Sequence, residues 1–199
     1  SQFWRDIFQN WEALALSFPG YLPGMICRFV SASTADGYNP YRITRDGIDW
    51  ETVNPADPWA HIGYWGDHQL IYLLRLLELL HRHDPSAVQA LLTRDLFAYA
   101  NVPYRILPYD RLLADPKNTV EFDTSIEALV RRRVEAVGTD GKLLWDARDQ
   151  VRLANLTEKL LVSVLAKLAN FIPDAGIWLN TQRPEWNDAN NALVGQGVS

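Results

Sequence analysis

Apolar residues recur at spacings of three and four from the start of the chain. Phe3, Ile7, Trp11, Leu14 and Phe18 share one face of a helix expected over residues 2–17, which Pro19-Gly20 must end. The pattern then dissolves. Gly20, Pro23, Gly24, Gly37, Pro40, Gly47, Pro55 and Pro58 punctuate residues 19–58 too often for a long helix. That stretch reads as a long loop, with residues 25–30 as one helical turn or a short strand, and loops of such length tend to carry function. Residues 67–83 are apolar on nearly every side, through Leu70, Ile71, Leu73, Leu74, Leu76, Leu77, Leu79 and Leu80, which predicts a helix covered all round. Asp84-Pro85 supplies an N-cap and a first-turn proline for a shorter helix over 86–92. Pro103, Pro108 and Pro116 break up a second long loop carrying Tyr99, Tyr104 and Tyr109.

Thr124 or Ser125 can cap a helix that runs to Val137 and stops at Gly138, followed by a tight turn at Thr139-Asp140-Gly141-Lys142. The longest helix is expected over 151–172, with Leu153, Leu156, Leu160, Leu161, Val164, Leu165, Leu168 and Phe171 on its apolar face and Pro173 as its stop. Alternating strand patterns are almost absent, and no repeat of solenoid length recurs. The expected architecture is therefore all-α, with about five helices packed on one another and joined by aromatic-rich loops.

Composition narrows the possible roles. A chain of 199 residues, 48% apolar and 22% charged, suits one globular domain or a slice of a larger one, not a disordered tail. With a net charge of −5 and Arg131-Arg132-Arg133 as the basic run, nucleic acid is not expected as a partner. Arg75 and Glu78 interrupt the most apolar segment before it reaches the roughly 18 residues a bilayer requires, so no membrane partner is expected either. The opening Ser-Gln-Phe-Trp-Arg-Asp has neither an initiator Met nor signal-peptide character. The expectation is a processed, cytoplasmic chain, with a periplasmic or secreted one left open; residues 190–199 end without a helix terminator, so the polypeptide is expected to continue. Cys27, the single cysteine, excludes an internal disulfide and a cysteine-only zinc site, and reads as a small buried hydrophobe. His61, His68, His81 and His83 give little material for a metal cage, so no metal and no cofactor are expected.

Eight Trp, eight Tyr and seven Phe, many of them beside Asp, Asn and Gly in loop-like stretches, suit the binding of flat or sugar-like ligands as well as a packed core. The densest constellation is Thr181-Gln182-Arg183-Pro184-Glu185-Trp186-Asn187-Asp188-Ala189-Asn190-Asn191. Two carboxylates three residues apart bracket a tryptophan where a helix opens. Glycosyl transfer needs one carboxylic acid to protonate the leaving oxygen, and an apolar ring or a neighbouring anion raises its pKa for that task. A helix N-terminus acts in the opposite direction. The same residues also read as a plain N-cap at Asn187 or Asp188.

The run Glu185-Trp186-Asn187-Asp188-Ala189-Asn190-Asn191 resembles the Asp-Trp-Asn-Asp-Gly-Met-Asn motif of cellobiose-phosphorylase-type enzymes, among the six-hairpin, (α/α)6-toroid glycoside hydrolases and phosphorylases. The resemblance implies a general acid at Asp188, with Glu185 in place of the motif's first acid and Ala189-Asn190 in place of Gly-Met. It also implies inversion, with water or phosphate attacking from the opposite face. Trp59-Ala60-His61-Ile62-Gly63-Tyr64-Trp65-Gly66-Asp67-His68-Gln69 looks like the sugar-binding loop ahead of an inner helix in the same enzymes. On that likeness Asp67 grips sugar hydroxyls, beside Tyr64, Trp65, His68 and Gln69; Arg183, Trp186, Asn187 and Asn190 complete the expected pocket. The simpler reading is a Gly63/Gly66 turn with Asp67 as a cap and Trp65 in the core. Residues 46–51 and 120–123 are further acid-aromatic clusters, open to a catalytic reading but simpler as solvated turns.

Two functions follow from these residues. One is a glycosidase or glycoside phosphorylase acting on an oligosaccharide or glycoside, with Asp188 as acid. The other is a non-catalytic carbohydrate-binding or scaffold domain of helices. A six-hairpin ring takes twelve helices, so residues 1–199 would be a single helical part of a larger catalytic domain. The remaining polypeptide, or self-association, would then cover apolar faces such as residues 70–80.

Overall fold

A computed structural model describes residues 4–38, 42–44, 47–57, 60, 62–63, 70–177 and 180. The first helix, α1 (Trp4–Ser17), lies against α3 (Leu70–His83), where the rings of Phe8 and Tyr72 stack with centroids 4.5 Å apart and 15° between planes. Between them runs α2 (Leu22–Ser31), which buries Leu22, Met25, Ile26, Phe29 and Val30 at spacings of three and one. The glycines and prolines around it predict only one helical turn or a short strand there. A proline in the first turn forfeits no hydrogen bond, and the small helical penalty of Gly24 is outweighed by five buried side chains. Helix α4 (Pro85–Thr93) starts at Asp84, whose carboxylate accepts from the Ala87 N–H at 3.1 Å as expected of an N-cap.

Strands appear where loops were expected and at both ends of the helix expected over 151–172. Among the described residues 55% are helical and 16% are in strand or bridge, so the fold is mixed α/β and not the all-α, (α/α)6-type arrangement of helical hairpins. Four antiparallel two-stranded sheets carry the extended residues: β1 (Arg42–Thr44) with β2 (Gly47–Asp49), β3 (Phe97–Ala98) with β6 (Leu153–Ala154), β4 (Tyr104–Ile106) with β5 (Val120–Phe122), and β7 (Phe171–Ile172) with β8 (Gly176–Ile177). Strands of two or three residues are too short to show an alternating pattern, and their pairing is decided by neighbours distant in sequence. A six-residue helix, α5 (Tyr109–Ala114), stands between β4 and β5, so the second proline-rich loop is an ordered excursion.

Helix α6 (Thr124–Val137) is capped by Asp123, one residue earlier than expected. The Ser125 hydroxyl, followed by the N–H groups of Ile126 and Ser125, holds that carboxyl below its ordinary range. Gly138, at φ 76°, ends the helix as the sequence predicted. A 3-10 turn over Gly138–Lys142 then folds back onto α6 so tightly that a Cβ on Gly141 would stand 2.3 Å from the Val134 nitrogen. The last long helix is α7 (Leu156–Ala169), shorter than the expected 151–172 because Asn155 caps it through the Glu158 N–H while Leu153-Ala154 pairs with β3.

The buried apolar residues form one cluster, from Phe8 through α2 and Leu73, Leu76 and Leu80 to Tyr104, Val120, Val130 and Leu156. Helix α3 supplies its middle, yet Ile71 and Leu74 are 59% and 54% exposed, so this helix is not covered all round. No described helix is long and apolar enough to cross a membrane.

The glycines separate by function in packing. Gly141→Ala, and Gly37→Ala, whose Cβ would sit 2.5 Å from the Val162 carbonyl at φ +87°, should each lower unfolding free energy by about 2–4 kcal/mol. Gly24→Ala, in open space on α2, should raise it by about 0.5–1 kcal/mol. Urea unfolding midpoints of the three variants check both signs.

Candidate functional site

All of the residues singled out for sugar chemistry lie outside the described residues: Tyr64, Trp65, Asp67, His68 and Gln69 in one segment, and Arg183, Glu185, Trp186, Asn187, Asp188 and Asn190 in the other. What the structure describes is how each segment is tethered. The first is bounded by Ile62 and Gly63, both buried, and by Leu70 at the start of α3. The second follows Asn180, which is 3% exposed and donates from Nδ2 to the Tyr38 hydroxyl at 2.9 Å. Asn170, just beyond α7, donates to the same oxygen, and the Lys167 ammonium lies 4.5 Å from the centre of the Tyr38 ring.

Tyr38 is itself set by a tight turn. The Thr34 N–H donates to the Tyr38 carbonyl at 2.7 Å, and the Tyr38 N–H to Thr34 Oγ1 at 3.3 Å. Gly37, within that turn, presses on the α7 backbone at Val162. A buried phenol oxygen accepting from two side-chain amides satisfies polar groups that would otherwise be costly to bury. The chain is thus pinned five residues before Glu185.

A second polar assembly was not foreseen from the sequence. Lys159 on α7 is 2% exposed; its Nζ donates to the Ala98 carbonyl at 2.8 Å and the Ser33 carbonyl at 3.2 Å, and sits 3.5 Å from the centre of the Tyr99 ring. The Tyr99 hydroxyl donates to Glu158 Oε1 at 2.6 Å, and Arg152 Nη2 donates to the same carboxylate oxygen at 3.4 Å. Burial lowers the Lys159 pKa to about 6, opposed by Glu158 and reinforced by Arg152. Burial, then the hydrogen bond and charge of Glu158, raise the Tyr99 phenol.

A strongly shifted lysine is a catalytic candidate only if a substrate can reach it. The void beside Lys159, bounded by Phe29, Leu73 and Ser163, is about 10 Å³, room for one water. Lys159 is therefore a structural staple joining α7 to β3 and to the chain just past α2. The signal for it was the run of small residues on its own helix face, Ser163 and Ala166, which allows close packing around one long side chain.

A cleft of about 720 Å³ opens between α2, the β1–β2 pair, the β3–β6 pair and the 3-10 turn. That volume is in the range of small-molecule sites. Its lining is chiefly apolar, including Ile43, Ile48 and Leu153, and the Arg28 guanidinium at its wall donates to the Thr44 carbonyl at 2.8 Å. Cys27, also on this wall, is half-buried, with Sγ 3.8 Å from the Ser31 hydroxyl. Asp49 pairs with Lys142 at 3.8 Å, Trp50 is buried beneath the same ammonium, and Asp123 caps α6, so the two lesser acid-aromatic clusters serve the fold. Among the described residues no three His, Cys, Asp or Glu side chains come together as a metal site.

Compared with known proteins, the chain matches no family model and no curated protein.

Lys159 gives stability a defined pH dependence. Its amine titrates near 6 when folded and near 10.5 when free, so between those values the unfolded chain holds the extra proton and stability rises with pH. The slope attributable to it should approach ~1.4 kcal/mol per pH unit and vanish in Lys159→Met. Urea unfolding of both proteins at intervals from about pH 6.5 to 9 reads the difference; parallel curves would show that the ring and the two carbonyls hold the ammonium charged.

Proposed function

We propose that this chain belongs to a carbohydrate-active enzyme that cleaves a glycosidic bond with inversion, Asp188 protonating the leaving oxygen. The observation that carries the reading is the run Glu185-Trp186-Asn187-Asp188-Ala189-Asn190-Asn191, which sets two acids around an indole. Support comes from the buried Asn180, whose side chain is bonded to Tyr38 five residues before Glu185. A proton donor has to be held to within a fraction of an ångström of its substrate, and sites built off rigid elements achieve this best.

The roles divide by chemistry. Trp186 supplies apolar surroundings that disfavour ionisation of Asp188, and Glu185 adds a neighbouring anion that does the same. Asn187, Asn190 and Arg183 offer donors for sugar hydroxyls. Asp67 and His68, with Tyr64, Trp65 and Gln69, form a second subsite in which ring faces stack on C–H surfaces and polar ends bind hydroxyls. The nucleophile, water or phosphate, then arrives from the face opposite the acid. A single thiol and no internal disulfide suit a cytoplasmic setting.

Asp188→Asn should lower turnover of an unactivated disaccharide by about 10²–10⁴-fold while leaving its binding intact. Turnover of the matching glycosyl fluoride, whose leaving group needs no proton, should fall far less. Proton NMR of the first-formed product should show the anomer opposite to that of the substrate. Equal loss on both substrates would remove Asp188 from the acid role. Sugar binding without turnover in the unmodified protein, with or without phosphate, would leave a carbohydrate-binding domain.

A further inference from the structure

Helix α7 is turned the opposite way from an ordinary surface helix. Its exposed positions are Thr157, Leu161, Val164, Leu165, Leu168 and Ala169, and none of them is charged. Leu161, Val164, Leu165 and Leu168 are 56%, 59%, 62% and 65% exposed, and Phe171, just past the helix, is 55% exposed. The charged residues of α7 are all engaged elsewhere. Lys159 is in the core, Glu158 is bonded to Tyr99 and Arg152, and Lys167 lies over Tyr38. Solvent-facing helix surfaces normally carry charge, whereas an interface centre is depleted of it.

We propose that a second copy of this chain covers this face, the two α7 helices packing antiparallel across a twofold axis that passes between Val164 and Leu165. The choice of a second copy rests on the stripe itself. Its spacing of three, one and three residues reads the same from either end, so an antiparallel copy sets Leu161 on the partner's Leu168 and Val164 on the partner's Leu165. An isologous contact requires such self-complementarity. Thr157 and Ala169, small residues at the ends of the stripe, let the two axes approach to the usual ~8–10 Å of packed helices.

Five large side chains per copy, each more than half exposed, offer on the order of 1,000 Å² in total, the low end of specific interfaces. An interface of that size places the dimer among weak, reversible associations. Each copy carries a net charge of −5, so salt screens the repulsion between copies and strengthens the association.

Sedimentation equilibrium of the full chain, from about 1 to 100 µM, tests this. The wild type should pass from monomer to dimer, more readily at higher salt, while Leu165→Asp and Leu168→Lys stay monomeric with unchanged circular dichroism. In a Cys27→Ser background, Leu165→Cys should be joined between copies by a short bis-maleimide. Leu161→Cys should not, because the antiparallel register offsets the two copies of that position by about 10 Å along the axis. A wild type that stays monomeric throughout, a dimer indifferent to both charge substitutions, or equal cross-linking at 161 and 165 would each overturn the proposal.

Discussion

A single lysine decides how the last long helix meets the rest of the molecule. Lys159 reaches from α7 to the carbonyls of Ala98 and Ser33 and lies against the face of Tyr99, so one amine joins a helix, a strand and the chain just past a second helix. Helical residues advance about 100° each. With Lys159 inward, Leu156, Ser163 and Ala166 must follow it, and Leu161, Val164, Leu165 and Leu168 must turn out. A buried amine without partners would be expensive; two carbonyls and an aromatic face offset that cost, and removing any of them would leave the others poorly satisfied.

The remaining long-range order rests on close backbone approaches and on polar pins. Gly141 lets the 3-10 turn lie on the α6 backbone, and Gly37 lets the Tyr38 turn lie on α7. Tyr104 donates to the Glu51 carbonyl at 2.7 Å and Lys142 to the Ile48 carbonyl at 2.9 Å, which hold the β1–β2 region against the core without a regular ladder. Small sheets of two strands have little stability of their own. They persist here because Phe97, Tyr104, Val120 and Ala154 are buried in, or against, the shared core.

The proposed sugar chemistry draws on the same economy. The segments that carry it adjoin buried residues, Ile62-Gly63 in one case and Asn180 in the other. Asn180 and Asn170 meet on the one hydroxyl of Tyr38, which links the segment bearing Asp188 to the end of α7.

Local sequence was enough for whatever depended on neighbours within a turn or two. Periodicity and caps located α1, α3, α4 and α6, the Asp84 cap and the Gly138 stop, because those features arise from i to i+4 contacts and from backbone freedom at one residue. The acid-indole run near the carboxy end is contiguous and so is legible as candidate chemistry in the sequence alone, but it lies outside the described residues. Tertiary contacts decided the rest. Pro23 and Gly24 argued against α2 until five side chains found a core to enter. The short strands depended on partners as far away as Leu153 is from Ala98. The apolar stripe of α7 read as a core face by composition, yet Leu161, Val164, Leu165 and Leu168 face outward, because Leu156, Lys159, Ser163 and Ala166 lie on the side of the helix that meets residues distant in sequence.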